Sequence, residues 1–146
     1  MKARSLIASA GAVAVVGGGS FLLPAAASTH SVIHKVSFTA TTLKSANFSK
    51  NTGGRTEIDY NKAGKIIGFD VASFAFNPKT NSASGRVAVN MRGGFIYGRL
   101  KFTQGPVIHG SVTGGTGKFN GVTGTITARS LNRKGTRTAV TITYHS

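Results

Sequence analysis

The chain has 146 residues, with 18 lysines and arginines against three acids, a formal charge of +15 and no cysteine. This length gives room for one domain with a real core rather than two, and without cysteine no disulfide can support the fold. The charge raises the attraction for any polyanion and opposes self-association.

The chain opens MKARSLIASAGAVAVVGGGSFLLPAAAS, with Lys2 and Arg4 before an apolar run from Leu6 to Val16, then Pro24 and Ala25-Ala26-Ala27. This is the pattern of a secretory signal peptide, residues 1–27, cleaved after Ala27. A membrane span would want about twenty strongly apolar residues, and this run is diluted by glycine and alanine. No cysteine follows the small residues to carry a lipid, and no Arg-Arg pair marks twin-arginine export. The expectation is a secreted domain, residues 28–146, with a formal charge of +13 once Lys2 and Arg4 are removed. Outside a cell the polyanions within reach are envelope polymers, phospholipid headgroups and stray nucleic acid, and nothing here specifies nucleic acid.

From Ser31 onward the period is two. Val36, Phe38 and Ala40 alternate with Ser37, Thr39 and Thr41, and Val87, Val89 and Met91 with Arg86, Ala88 and Asn90. Ile96, Leu100 and Phe102 oppose Tyr97, Arg99 and Lys101; Ile108 and Val112 oppose His109, Ser111 and Thr113; Val140, Ile142 and Tyr144 oppose Thr141, Thr143 and His145. Such alternation marks half-buried strands. Turn signals separate them at Asn51 to Gly54, Asn61 to Gly64, Asn77-Pro78, Gly93-Gly94, Gly105-Pro106 and Asn132 to Gly135. No helical pattern of useful length follows the leader. Short antiparallel strands at this spacing predict a sandwich or a closed barrel, because an open sheet leaves adhesive edges.

One strand departs from the rule. In GKIIGFDVASFAFNP, Ile66, Phe74 and Phe76 fall on one face and Ile67, Phe69, Val71 and Ala75 on the other. An all-apolar strand calls for cover on both sides, from a second subunit in a homo-oligomer or from the N-terminal segment. Asp70 shares the Phe74 face, where an unpaired carboxylate is costly. Either it sits near the strand end or pairs with an arginine, or it is a pocket acid with a raised pKa.

VTGGTGKFNGVTGT, residues 112–125, places five glycines in fourteen positions. A Walker loop would need Ser or Thr where Phe119 stands and glycine where Val112 stands, and a dinucleotide loop would need glycine at Asn120. Both motifs also aim a helix N-terminus at phosphate, whereas the following GTITARSL alternates as a strand. The stretch therefore reads as a strand connection whose glycines give positive φ and close backbone approach.

SVTGGTGKFNGVTGTITA resembles the signature of the allene oxide cyclase and dirigent barrel superfamily, carried by Val112, Gly114, Gly115, Thr116, Gly117, Phe119, Gly121 and Gly124. Upstream, GKIIGFDVASFAFNP and GRVAVNMRGGFIYGRLKF are similar to that family's preceding strands. The resemblance covers Gly64 to about Ala128, and the rest of the mature chain more loosely. It implies an all-β fold, a closed eight-stranded antiparallel barrel, often oligomeric, with an apolar cavity in which a reactive intermediate is folded or coupled. Phe38, Phe74, Val89, Leu100, Val112 and Ile142 are the candidate interior, ligand-facing residues.

Enzymes of that family are similar in using pocket acids or a polar-held water on early strands. The first strand here, VIHKVSFTATTL, holds no acid, and Glu57 and Asp59 in GRTEIDYN match no family motif. Fold is therefore carried over and catalysis is not, leaving Asp70 as the one candidate catalytic residue. His30, His34, His109 and His145 lack metal-ligand spacing with an acid partner, so neither metal nor cofactor is expected. No Gly-x-Ser-x-Gly elbow occurs. Arg99, Lys101 and Tyr97 form a cationic, partly aromatic stripe that either is ordinary wet exterior or grips phosphates or a glycan. Three functions follow: a secreted barrel binding a small apolar molecule, which is preferred; an isomerase or cyclase, or a dirigent-like director of stereochemistry; and a basic domain held on anionic envelope polymers.

Overall fold

The structure, a computed structural model, describes residues 31–103 and 105–146. The expected leader and its predicted cleavage site lie outside the described residues, as does His30. Eight strands follow in order: β1 (Ile33–Asn47), β2 (Thr52–Tyr60), β3 (Ile66–Asn77), β4 (Ser82–Met91), β5 (Gly94–Phe102), β6 (Val107–Gly115), β7 (Thr123–Ser130) and β8 (Arg137–His145). Each pairs antiparallel with the next, and β1 pairs with β8, so the sheet is a closed eight-stranded barrel. Closure removes the edges that the alternating sequence would otherwise expose.

The period of two places one side of each strand in the core. On β5, Ile96, Gly98 and Leu100 point inward and are buried, while Tyr97, Arg99 and Lys101 stand in solvent. Phe38, Val89, Ile96, Val112, Ile126, Ile142 and Tyr144 meet in one apolar cluster. Each such side chain contributes about 1.5–3 kcal/mol on burial. Because the strands alternate in direction, the β1–β2, β3–β4, β5–β6 and β7–β8 connections gather at one end of the barrel. The remaining connections lie at the other end.

That other end is plugged by the glycine-rich stretch between β6 and β7. It contains a single 3-10 turn, Gly117–Phe119, too short for any sequence period to reveal. The turn drives Phe119 and, just after it, Val122 into the core, at 1% and 2% exposure. The Phe119 ring meets Tyr144 edge to face, with centroids 5.6 Å apart. Lys118 N–H donates to the Gly93 carbonyl at 2.9 Å and Thr116 N–H to the Phe95 carbonyl at 2.8 Å, tying the plug to the β4–β5 side. Gly117 has φ +60, and a Cβ there would strike the Gly93 carbonyl. Gly117→Ala is expected to cost about 1–3 kcal/mol, since it combines a left-handed backbone with a clash. Urea unfolding should show the midpoint falling with an unchanged slope.

Two local expectations are corrected. The first turn occupies residues 48–51, and Gly53 and Gly54 belong to β2 instead. They are strand glycines because aromatic rings occupy their side-chain space: a Cβ on Gly53 would lie 2.8 Å from the Phe74 ring, and one on Gly54 2.9 Å from the Phe48 ring. Ile66 does not share an inner face with Phe74, because the β2–β3 register shifts between Asp59 and Tyr60 and leaves Ile66 at 57% exposure. On the outer face of β3, Phe69 and Val71 are each 46% exposed, so among the described residues the expected second cover is absent.

Candidate functional site

Every lysine and arginine of the described chain is exposed except Arg55. All three carboxylic side chains of the sequence are buried: Glu57 at 4%, Asp59 at 1% and Asp70 at 3% exposure. They lie on adjacent strands for a local reason. Arg55, Glu57 and Asp59 alternate along the inner face of β2. The Asn61 side-chain oxygen then accepts from the Ala63 and Lys65 backbone N–H groups at 3.0 and 2.9 Å, forming a tight Asx turn. That turn folds β3 back so that Glu57 stands opposite Asp70, and Asp59 opposite Gly68.

The three acids are not equivalent. Glu57 Oε2 lies 3.1 Å from Arg55 Nε, and Glu57 Oε1 accepts from the Thr42 hydroxyl at 3.1 Å. The Arg55 Nε–H is not aimed at the carboxylate, so the contact is one of charge rather than a hydrogen bond. Arg55 Nη1 donates onward to the Gly135 carbonyl of the β7–β8 connection, at 3.4 Å. By contrast, both Asp59 oxygens and Asp70 Oδ1 are buried without a hydrogen-bond partner. Burial pushes Asp59 up to about 7, with the Glu57 charge adding to the rise and the neighbouring Asp70 carboxyl opposing it. Burial likewise pushes Asp70 up to about 8, reinforced by the charges of Glu57 and Asp59. Desolvation and like charge both disfavour ionisation, so at neutral pH Asp70 keeps its proton and Asp59 is close to half protonated.

Phe38, Val89 and Leu100 join Arg55, Glu57 and Asp70 in the wall of an internal cavity of about 30 Å3. That space accommodates one ordered water or one small substituent. A drug-sized ligand needs about 300–1,000 Å3, so admitting one requires a wall residue to move. Arg55 is the residue placed to do so, being half-buried and spanning from Glu57 to the end connection. The other proposed interior residues lie elsewhere: Val112 and Ile142 are buried in the core cluster with Phe119, and Phe74 is half-buried over Gly53.

Asp70 is neither at a strand end nor paired with an arginine; the ion pair belongs to Glu57. Sequence reasoning did not assign Arg55, Glu57 and Asp59. The available signal was their i, i+2 spacing together with the Asn61 to Gly64 turn, which sets residue 57 across from residue 70. Chemically, a neutral carboxyl in an apolar wall is a proton donor, and a carboxylate held by arginine beside it is an acceptor. Among the described residues no group of three or more His, Asp or Glu side chains is placed to hold a metal ion.

No family model matches the chain, and no curated protein matches it in sequence. Solved structures do match in fold. A pyocyanin demethylase superposes with a TM-score of 0.64 at 16% identity, over 76% of this chain and 99% of its own. An exo-specific intermolecular Diels-Alderase gives 0.64 at 13% identity, over 80% and 97%. A pterocarpan synthase dirigent protein gives 0.64 at 11% identity, over 79% and 88%. At these identities the likeness is one of architecture. With its eight antiparallel strands closed into a barrel, the chain shares the fold of these proteins, as the glycine-rich resemblance implied.

Proposed function

We propose that the protein is a secreted barrel that takes a small, largely apolar molecule into its core and promotes its isomerisation or cyclisation by proton donation from Asp70. The observation that carries this reading is the placement of the acids. A chain with three carboxyls buries all of them on two adjacent strands, leaving Asp59 and Asp70 with raised pKa values and unsatisfied oxygens, and Asp70 in the wall of the cavity. Such an arrangement destabilises the fold and is characteristic of sites that use it. Asp70 would donate to an oxygen of the bound molecule, and the Glu57 carboxylate would face the positive charge that develops elsewhere on it. The neighbours named as an exo-specific intermolecular Diels-Alderase and a pterocarpan synthase dirigent protein lend support, since they share this barrel.

A second reading, in which the barrel only holds its ligand, is favoured by the apolar wall of Phe38, Val89 and Leu100. One experiment separates the two. Native mass spectrometry of the protein from its own secreting host would capture the bound molecule, which is then incubated with the wild type and with Asp70→Asn. The catalytic reading expects turnover to fall by about 10²–10⁴-fold with binding retained, the range for loss of a general acid. Binding without turnover in either protein would establish the carrier, and undiminished turnover in Asp70→Asn would remove Asp70 from the chemistry.

A further inference from the structure

The outer face of β3 to β6 carries a cross-strand row that the interior chemistry does not use. Arg86 on β4 stands directly opposite Arg99 on β5, flanked by Ser73 on β3 and Ser111 on β6. Like charges in directly opposed strand positions destabilise a sheet. Neither arginine has a protein counter-ion, because every carboxylate side chain of the sequence is inside the barrel.

On one side the neighbouring row holds Ser84, Lys101 and His109, and on the other side the rows are largely apolar. Val71, Ala88 and Tyr97 form the next, followed by Phe69, Asn90 and Phe95. The Phe95 and Tyr97 rings lie nearly parallel with centroids 6.3 Å apart, and Phe69 meets Phe95 edge-on at 6.2 Å. Between the rows is a surface depression of about 470 Å3, whose wall includes Val71, Ser73, Arg86, Ala88, Tyr97 and Arg99. Its volume is in the range of small-molecule sites.

We propose that this depression binds a phosphate monoester carried on a flat apolar or aromatic body, with Arg86 and Arg99 taking the phosphate and Tyr97 the body. Two guanidinium forks match the two charges of a monoester dianion and present parallel N–H groups to its oxygens. The serine hydroxyls at either end of the row supply further donors. The aromatic shelf next to the charge selects an ester over free phosphate. A second copy of this chain is a poor occupant, because its exterior would bring cations against cations.

The test is calorimetric titration of the mature protein at fixed ionic strength with phenyl phosphate and, separately, inorganic phosphate. Phenyl phosphate is expected to bind one to one and at least tenfold more tightly than inorganic phosphate. Arg86→Gln or Arg99→Gln should weaken it at least tenfold, Tyr97→Ala should reduce it to the inorganic level, and Lys134→Gln, on the β7–β8 connection, should leave it unchanged. Arg99→Lys keeps the charge but loses the fork, so it should fall between. All of these side chains are exposed, and circular dichroism checks that each variant is folded. Equal binding by all variants would reduce the effect to general surface charge and overturn the site. Equal affinity for the two phosphates, or sedimentation showing the face covered in a homo-oligomer, would also overturn it.

Discussion

Asp70→Asn is expected to be more stable than the wild type at pH 9 and close to it at pH 4. Burial raises the folded-state pKa of Asp70 to about 8 and of Asp59 to about 7, against about 4 in the unfolded chain. Below pH 4 both states are protonated, and these groups add no pH dependence. Between about pH 4 and pH 8 the unfolded chain ionises while the barrel keeps its protons, so the folded state binds more protons and stability falls as pH rises. Above both folded values the loss levels off. The slope is up to about 1.4 kcal/mol per pH unit for each proton retained. Thermal unfolding of the wild type should therefore drop on the order of 10 °C between pH 5 and pH 9. Asparagine cannot ionise, so Asp70→Asn should show a shallower fall, and Asp59→Asn with Asp70→Asn a nearly flat profile. Equal slopes in wild type and double variant would mean that neither aspartate carries the effect.

Phe119→Ala should cause the largest loss of stability of any single change considered for the plug. Its ring is 1% exposed, stacks edge-on against Tyr144, and is carried by a turn held through two backbone hydrogen bonds to the β4–β5 side. Removing a buried phenylalanine costs about 3–5 kcal/mol, from lost transfer energy and the cavity left behind. A domain of this size commonly has only about 5–15 kcal/mol in total. The glycines framing the turn limit how far the backbone can close the void. The denaturant midpoint should fall accordingly, and an added benzene-sized molecule should restore part of the loss if the cavity stays dry. A change below about 1 kcal/mol would show that the plug is not part of the cooperative core.

Much of the barrel was legible because its strands sort apolar from charged residues cleanly. Ile96 and Leu100 face in while Tyr97, Arg99 and Lys101 face out, and this contrast identifies β5 from composition alone. Closure into eight strands came from the family resemblance, since alternation does not state which strands meet. The plug was illegible as structure because three residues of 3-10 turn have no period. The acids were missed for a more instructive reason. In β2, TEIDY alternates Glu57 and Asp59 with Ile58 and Tyr60, and the usual rule turns the apolar residues inward. The barrel does the reverse: Glu57 and Asp59 are buried, whereas Ile58 pairs with Phe69 on the outer face. Local pattern and global fold disagree there, and such disagreements collect at functional sites. The same inversion strips the exterior of negative charge and leaves Arg86 beside Arg99 without a counter-ion.

The central claim is that the barrel interior keeps carboxylic acid protons at neutral pH. Infrared difference spectroscopy of residues 28–146 from pH 4 to pH 10 measures this directly, since a protonated carboxyl absorbs apart from a carboxylate. The account predicts that a carboxylic acid band persists at pH 6, fades between about pH 7 and pH 8, and shrinks in Asp70→Asn. Loss of every carboxylic acid band by pH 5 would contradict it, because Asp59 and Asp70 would then be ionised like surface acids.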